Sequence, residues 1–271
     1  MAHTAIITLT TDFGLNDHFV GAMKGVMLEI APDAQIIDIS HAVQPFDILD
    51  GALTISQAYS YFPSETVHMV IVDPGVGTTR RPVILTGDRH LFVAPDNGVL
   101  SLIYDREERI SVRHITADHY FLQSPSTTFH ARDIFSPVAA HLARGAGADR
   151  FGEEINDYVR FSAPRPKPTD ERTLRGVVLK VDRFGNLITN ITPQDAPQLF
   201  GTVPPPSFTI VVGNKSQATR MCSNYAEGAP GEVFGILGSM GFLEVSTNRG
   251  SAAQIMGAGK GSEVNVVMEG K

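Results

Sequence analysis

The stretch Ala5-Ile-Ile-Thr-Leu-Thr-Thr-Asp-Phe-Gly-Leu-Asn-Asp17, with residues 18–30 after it, decides the fold reading. Ala5 to Thr10 is an apolar, β-branched run, which predicts a strand that stops at Thr11-Asp-Phe-Gly14. From Asp17 to Ile30 the residues Phe19, Val20, Met23, Val26, Met27 and Ile30 fall at helical spacing, with Asp17 at the start, where a carboxylate suits the helix dipole. Working outward, Gln35–Ile39 reads as a strand, Asp47–Ser60 as a helix, and Val67–Val72 as a buried strand running into Asp73-Pro-Gly-Val-Gly77. This rhythm predicts an α/β N-terminal domain with a largely parallel sheet covered by helices. Ligands gather at the carboxyl ends of such strands, where Asp12 and Asp73 both fall.

Beyond Pro82 the chain offers shorter strands at Val83–Thr86, His90–Val93 and Ser111–Ile115, then a helix over about Asp133–Arg144. Ser162-Ala-Pro-Arg-Pro-Lys-Pro-Thr-Asp170 places three prolines in alternation, which stiffens the chain toward an extended form. It reads as a linker, residues 164–173, between a first domain over 1–163 and a second over 174–271. The second carries short β runs at Gly176–Asp182, Leu187–Ile191, Phe208–Val212, Gln217–Met221, Val233–Leu237, Phe242–Val245 and Val264–Met268. Their spacing predicts a smaller all-β, barrel-like domain.

The 271 residues are 42% apolar and 19% charged, a globular composition, with Lys+Arg 22 against Asp+Glu 29 for a net charge of −7. The acidic balance argues against nucleic-acid and membrane-surface partners, which need a basic footprint. Cys222 is the only cysteine and reads as a small core hydrophobe. No basic n-region or long apolar run marks the N-terminus, so the expected location is cytoplasmic.

Four constellations could carry chemistry, and each also has a purely structural reading. Asp12 can accept two hydrogen bonds from a ribose cis-diol, or it and Asp17 make a turn and a helix cap. Asp73 and Arg80, on either side of a glycine-rich loop, can face one cavity or form a structural ion pair. His130, in Thr128-Phe-His-Ala-Arg-Asp133, precedes a helix. Asp182 and Asn186, in Val181-Asp-Arg-Phe-Gly-Asn186, offer a carboxylate for a cation and an amide for a purine edge, or a hairpin turn. His3, His41, His68, His90, His114, His119 and His141 read as structural, while His18 stays open. No Gly-x-Gly-x-x-Gly or Gly-Lys-Ser/Thr motif supports a dinucleotide or triphosphate site. No ligand spacing favours zinc, and Asp12, Asp73 and Asp133 do not force magnesium, so neither metal nor cofactor is expected.

Together and in order, five segments resemble the S-adenosylmethionine hydroxide adenosyltransferase family, the hydrolytic relatives of the bacterial fluorinase and chlorinase. They are Thr11-Asp-Phe-Gly-Leu-Asn-Asp17, Val72-Asp-Pro-Gly-Val-Gly-Thr-Thr-Arg-Arg81, Phe129-His-Ala-Arg-Asp-Ile-Phe135, Val181-Asp-Arg-Phe-Gly-Asn-Leu-Ile-Thr-Asn190 and Asn248-Arg-Gly-Ser-Ala-Ala253. The resemblance implies cleavage of S-adenosylmethionine by water at ribose C5′, giving adenosine and methionine. It assigns the positioning and polarising of water to Asp73, Arg80 and His130, with Arg80 preferred to Arg81 as the first arginine after the loop. A carboxylate and an imidazole can accept the proton while the guanidinium favours hydroxide character.

By the same match Asp12 holds the ribose diol, and Asp17 and Asp182 hold the methionine ammonium. Asn186 and the Ala252 backbone hold the adenine, Tyr225 packs on the adenosine, and Ser239 contacts the methionine carboxylate. The family is trimeric, which implies a homotrimer with each site shared between one subunit's N-terminal and its neighbour's C-terminal domain. Ala131 stands where family hydrolases commonly have Gly, which leaves a 5′-halogenase using chloride as an alternative. A non-catalytic S-adenosylmethionine or adenosine sensor and a metal-dependent hydrolase are the others.

Overall fold

A computed structural model describes residues 5–201, 206–213 and 216–269 and divides the chain into two compact units, Met1–Ala163 and Pro164–Lys271. His3 lies outside the described residues.

In the first unit the elements run β1 (Ile6–Thr11), α1 (Phe19–Ile30), β2 (Gln35–Ser40), α2 (Ile48–Ala58), β3 (Val67–Ile71), β4 (Pro82–Thr86), β5 (Leu91–Pro95), α3 (Ser101–Tyr104), β6 (Ser111–His114), α4 (Ser136–Ala143) and β7 (Glu154–Ile155). Alternation sends Ile7, Leu9, Met69 and Ile71 to a core shared with Met23 and Met27 of α1 and Val138 of α4. Val70 and Val72 turn to the opposite core, with Ile55 of α2 and Ile103 of α3. Helices therefore cover both faces, and β3 is buried throughout.

The strand order is β2-β1-β3-β5-β4-β6-β7. The pairs β1–β2, β1–β3 and β3–β5 are parallel, whereas β4–β5, β4–β6 and β6–β7 are antiparallel. The sheet is thus mixed, not largely parallel as the strand–helix rhythm predicts. Only Gly87 to His90 joins β4 to β5, closed by the Gly87 N–H on the His90 carbonyl at 2.9 Å. A parallel connection needs a crossover of about a dozen residues or more, so this short link enforces a hairpin.

Two helix starts also differ from expectation. The first helix begins at Phe19, and His18 at its cap makes no side-chain cap bond, so Asp17 lies before the helix, exposed. The helix expected from Asp133 opens as a π-turn over Ala131–Phe135 before α4.

The second unit contains β8 (Lys167–Pro168), β9 (Thr173–Val181), β10 (Leu187–Thr189), α5 (Pro197–Gly201), β11 (Phe208–Val212), β12 (Ser216–Ala218), β13 (Met221–Cys222), β14 (Val233–Leu237), β15 (Leu243–Thr247), α6 (Ala252–Met256) and β16 (Glu263–Met268). The ladder runs β12-β11-β16-β9-β10-β15-β14-β13, with β8 added to β9, and its curl brings β12 back near β14. It is a curled half-barrel whose ladder keeps two ends. The run expected over Gln217–Met221 is broken at Thr219-Arg220 into β12 and β13, on opposite ends of the ladder. Its core holds Val178, Leu187, Ile210, Leu243, Val245 and Val264, while Cys222 packs with Phe234 and Ile236.

Candidate active site

β1 and β3 are parallel neighbours in register, Thr11 opposite Ile71, so the residues just past their ends emerge at one edge of the sheet. Those residues are Asp12 and, after Val72, Asp73. The Gly-rich loop then returns the chain to β4 by way of Arg80. Gly77 carries φ +77 and lies so close to the Thr127 carbonyl that a Cβ would overlap it. That close approach brings the loop against the segment leading into His130.

The three polar side chains meet. Arg80 Nε donates to both oxygens of Asp73, at 3.1 and 2.9 Å, and its Nη2 donates to Oδ2 at 2.6 Å. The same Nη2 donates to His130 Nδ1 at 2.8 Å. A guanidinium has no acceptor, so Nδ1 must hold the lone pair and, in the neutral ring, the hydrogen sits on Nε2. Burial first, and then the Arg80 charge, hold the His130 pKa below its usual value, favouring that neutral form. The side chains of Arg80 and Asp73 are 9% and 5% exposed, and the guanidinium lies over the Phe135 ring at 5.3 Å. Arg81 goes elsewhere, to Asp96 at 2.7 Å and Asp157 at 2.8 Å.

A small pocket of about 50 Å³ opens on this chain of bonds, walled by Phe13, Ile71, Val76 and Phe129 beside Asp73 and His130. It suits water, whose share of liquid volume is about 30 Å³, and not a nucleoside. Asp12 is half-buried, and its Oδ2 accepts the Phe46 N–H at 2.8 Å. Burial, with a contribution from the Asp73 charge, raises its pKa. Asp133, by contrast, accepts from Arg132 and the Ser126 N–H. Among the described residues no group of three or more His, Cys, Asp and Glu is arranged to hold a metal ion.

The second unit has its own pocket, of about 750 Å³, lined by Asp182, Asn186, Tyr225, Ser239, Glu244 and Arg249 among others. Asp182 builds its own turn: Oδ1 accepts from the N–H groups of Phe184 and Asn186 at 2.9 and 2.8 Å, and Oδ2 from the Asn186 amide at 2.8 Å. The hairpin-turn reading of this segment therefore holds, and the turn presents both side chains to the pocket. Gly185, at φ +84, lies where a Cβ would overlap Ser251. Ala252, buried, follows Ser251 at the start of α6.

Asp12, Asp73, Arg80 and His130 thus collect in one unit, and Asp182, Asn186, Tyr225 and Ser239 in the other. Asp17 stands apart, exposed ahead of α1. Two residues escaped the sequence reading. Phe46 carries φ +66 and is 74% exposed, a strained, outward aromatic tied to Asp12. Glu244 is a charge in a strand whose neighbours are apolar, which was its one available signal.

A family model described as the SAM hydroxide adenosyltransferase N-terminal domain matches residues 7–152, and one for the C-terminal domain matches residues 176–265. The chain belongs to the SAM hydroxide adenosyltransferase family. A (R)-S-adenosyl-L-methionine hydrolase of Salinispora tropica is 36% identical over 98% of this chain and 99% of its own length. A fluorinase of Nocardia brasiliensis is 29% identical, covering 92% of each. The crystal structure of an uncharacterized conserved protein from Thermotoga maritima superposes with a TM-score of 0.86 at 35% identity, covering 98% of this chain and 100% of that one. The two family segments fall within the two units described above, one in each. No helix among the described residues is long and apolar enough to cross a membrane.

Proposed function

We propose that this chain hydrolyses S-adenosyl-L-methionine to adenosine and L-methionine, by in-line attack of water at the ribose C5′. The observation that carries the reading is the Asp73–Arg80–His130 chain of hydrogen bonds on a water-sized, apolar-walled pocket. Relatives over nearly the full length, named for this hydrolysis, support it.

The leaving group is a neutral thioether and needs little acid assistance, so the task is to hold water in line and take its proton. The O–C5′ bond forms as the C5′–S bond breaks, with its electron pair going to sulfur and one proton released per turnover. His130 Nδ1 is engaged by Arg80, which leaves Nε2–H to donate to the oxygen of the water. Asp73 is then the acceptor for its proton, and the imidazole positions rather than deprotonates. This narrows the earlier expectation that both groups accept protons. Opposite charges cancel in the transition state, which the apolar walls favour by keeping bulk water out.

Asp12, with one oxygen held by Phe46, directs the other to the ribose diol. Asp182, assisted by Asp17, receives the methionine ammonium. Asn186 and the Ala252 backbone hold the adenine, Tyr225 packs on the nucleoside, and Ser239 meets the methionine carboxylate. Residues 1–163 act as the catalytic domain, residues 164–173 as the linker and residues 174–271 as the barrel-like partner in binding. The family's trimeric organisation implies a homotrimer with sites shared between neighbouring subunits, an arrangement consistent with the division of these groups between two units. The single, buried Cys222 suits action in the reducing cytoplasm.

Chromatography of products from S-adenosylmethionine with chloride or fluoride present tests the reading. Adenosine is the expected main product, and 5′-halo-5′-deoxyadenosine in its place would overturn it. Turnover unchanged by chelator is expected, since no step uses a metal.

A further inference from the structure

Glu244 is a carboxylate in the second-unit pocket to which the mechanism gives no task. It lies on β15, Leu243-Glu-Val-Ser-Thr247, a strand buried throughout, and is itself 4% exposed. A carboxylate there is costly unless it is bonded. It makes no ion pair among the described residues, and Arg249, lining the same pocket, does not pair with it. Its hydrogen bond comes from the Tyr225 hydroxyl, which donates to Oε2 at 3.1 Å.

The surroundings are shaped for this carboxylate. Gly238 has no positive φ, yet a Cβ there would overlap Oε1 and Cδ of Glu244. Glycine at this position is explained by space rather than by backbone conformation. Tyr225, for its part, stands on a single 3-10 turn, Tyr225–Glu227, and is 44% exposed. The side chains of Asn224 and Glu227 pin the backbone of that turn, and the bond to Glu244 ties the far end of the ring to the sheet.

We infer that Glu244 is a positioning residue for the nucleoside: through the Tyr225 hydroxyl it fixes the aromatic wall of the adenosine site, and Gly238 supplies the space it needs. This rests on reading the second-unit pocket as the nucleoside site. Burial and the neighbouring Asp182 charge push the Glu244 pKa up, while the Tyr225 hydroxyl favours the ionised form. Among these influences the hydroxyl is the one that favours the ionised carboxylate, and the hydrogen bond ties the two side chains together.

The test measures kcat and KM with S-adenosylmethionine, and adenosine affinity by titration calorimetry, on the full chain. Tyr225→Phe and Glu244→Leu should each raise KM and the adenosine Kd by about five- to tenfold, with kcat altered less than about twofold. The double variant should be no weaker than the weaker single one, because both remove the same bond. Glu244→Gln, whose amide oxygen still accepts, should recover most of the affinity. Gly238→Ala, which crowds the carboxylate, should weaken adenosine binding in the same direction as Glu244→Leu.

Parent-like adenosine affinity in Glu244→Leu, or effects of Glu244→Leu and Tyr225→Phe that multiply, would overturn the inference while leaving the hydrolase reading intact. A parent that binds adenosine but releases none from S-adenosylmethionine would sink the hydrolase reading alone. A parent that binds no adenosine would sink this inference. If Glu244→Leu loses its cooperative melt, Gly238→Ala and Tyr225→Phe carry the same comparison.

Discussion

Arg80 joins a carboxylate and an imidazole through one planar group, donating from Nη2 to Asp73 and to His130 at the same time. Lysine has the charge but not the fork, so Arg80→Lys should lower kcat by at least about tenfold. Asp73→Ala removes the proton acceptor and should lower kcat by at least about a hundredfold. Single-turnover rates measure both. For both variants calorimetry should find adenosine affinity within about threefold of the parent, because the nucleoside groups are other residues. A pure sensor has no rate to lose. The sequence preferred Arg80 to the adjacent Arg81 only by its position as the first arginine after the loop. Their partners separate them: Arg81 meets Asp96 and Asp157, far along the chain.

At the scale of elements, the loop after β3 and the start of α4 act together because Gly77 nests against Thr127. Gly77→Ala meets both a positive φ and an overlap with backbone. It should cost about 1–3 kcal/mol of stability, read from urea unfolding, and lower kcat more than it raises KM. The paired strands β3 and β5 carry a different liability. His68 is fully buried, bonded through Nδ1 to Thr8 at 2.7 Å, with its ring 5.0 Å from that of His90. Burial, and then His90, push its pKa down to about 3, and burial lowers that of His90 too. Between pH 6.5 and 3 the unfolded chain therefore binds more protons than the folded one. The contribution of neutral His68 to stability is full above about pH 6.5 and falls as the pH drops toward 3, by up to about 1.4 kcal/mol per unit, and His90 acts in the same direction. Urea unfolding from pH 7.5 to 5 should show that slope, and His68→Phe should flatten it.

For the whole molecule, the groups proposed to bind and to react are divided between two compact units. If neighbouring subunits complete each other's sites, Asp73→Ala and Asp182→Ala chains, each inactive alone, should regain activity when unfolded and refolded together. In a randomly mixed closed ring, roughly a quarter of the sites would combine an intact first unit with an intact second. Activity near that fraction is the expected result, and no recovery would mean that each site is built within one chain.

Most strands and helices of the first unit were legible in the sequence because period 2 and period 3.6 are local properties of the chain, whereas α3 and β7, of four and two residues, are too short to show a period. So were the turn residues Asp182 and Gly185 and the strand-end carboxylates Asp12 and Asp73. Tertiary structure decided the rest, because it depended on partners that local pattern does not name. The four-residue link after β4 turned half the sheet antiparallel. Arg80 found His130, 50 residues on, and so set the imidazole tautomer on which the proposal of Asp73 as the base rests. Glu244 became a buried acceptor because Tyr225 reaches it and Gly238 leaves it room. Periodicity reports which face of an element is buried, whereas the protonation and role of a polar group depend on which atoms lie within about 3 Å of it.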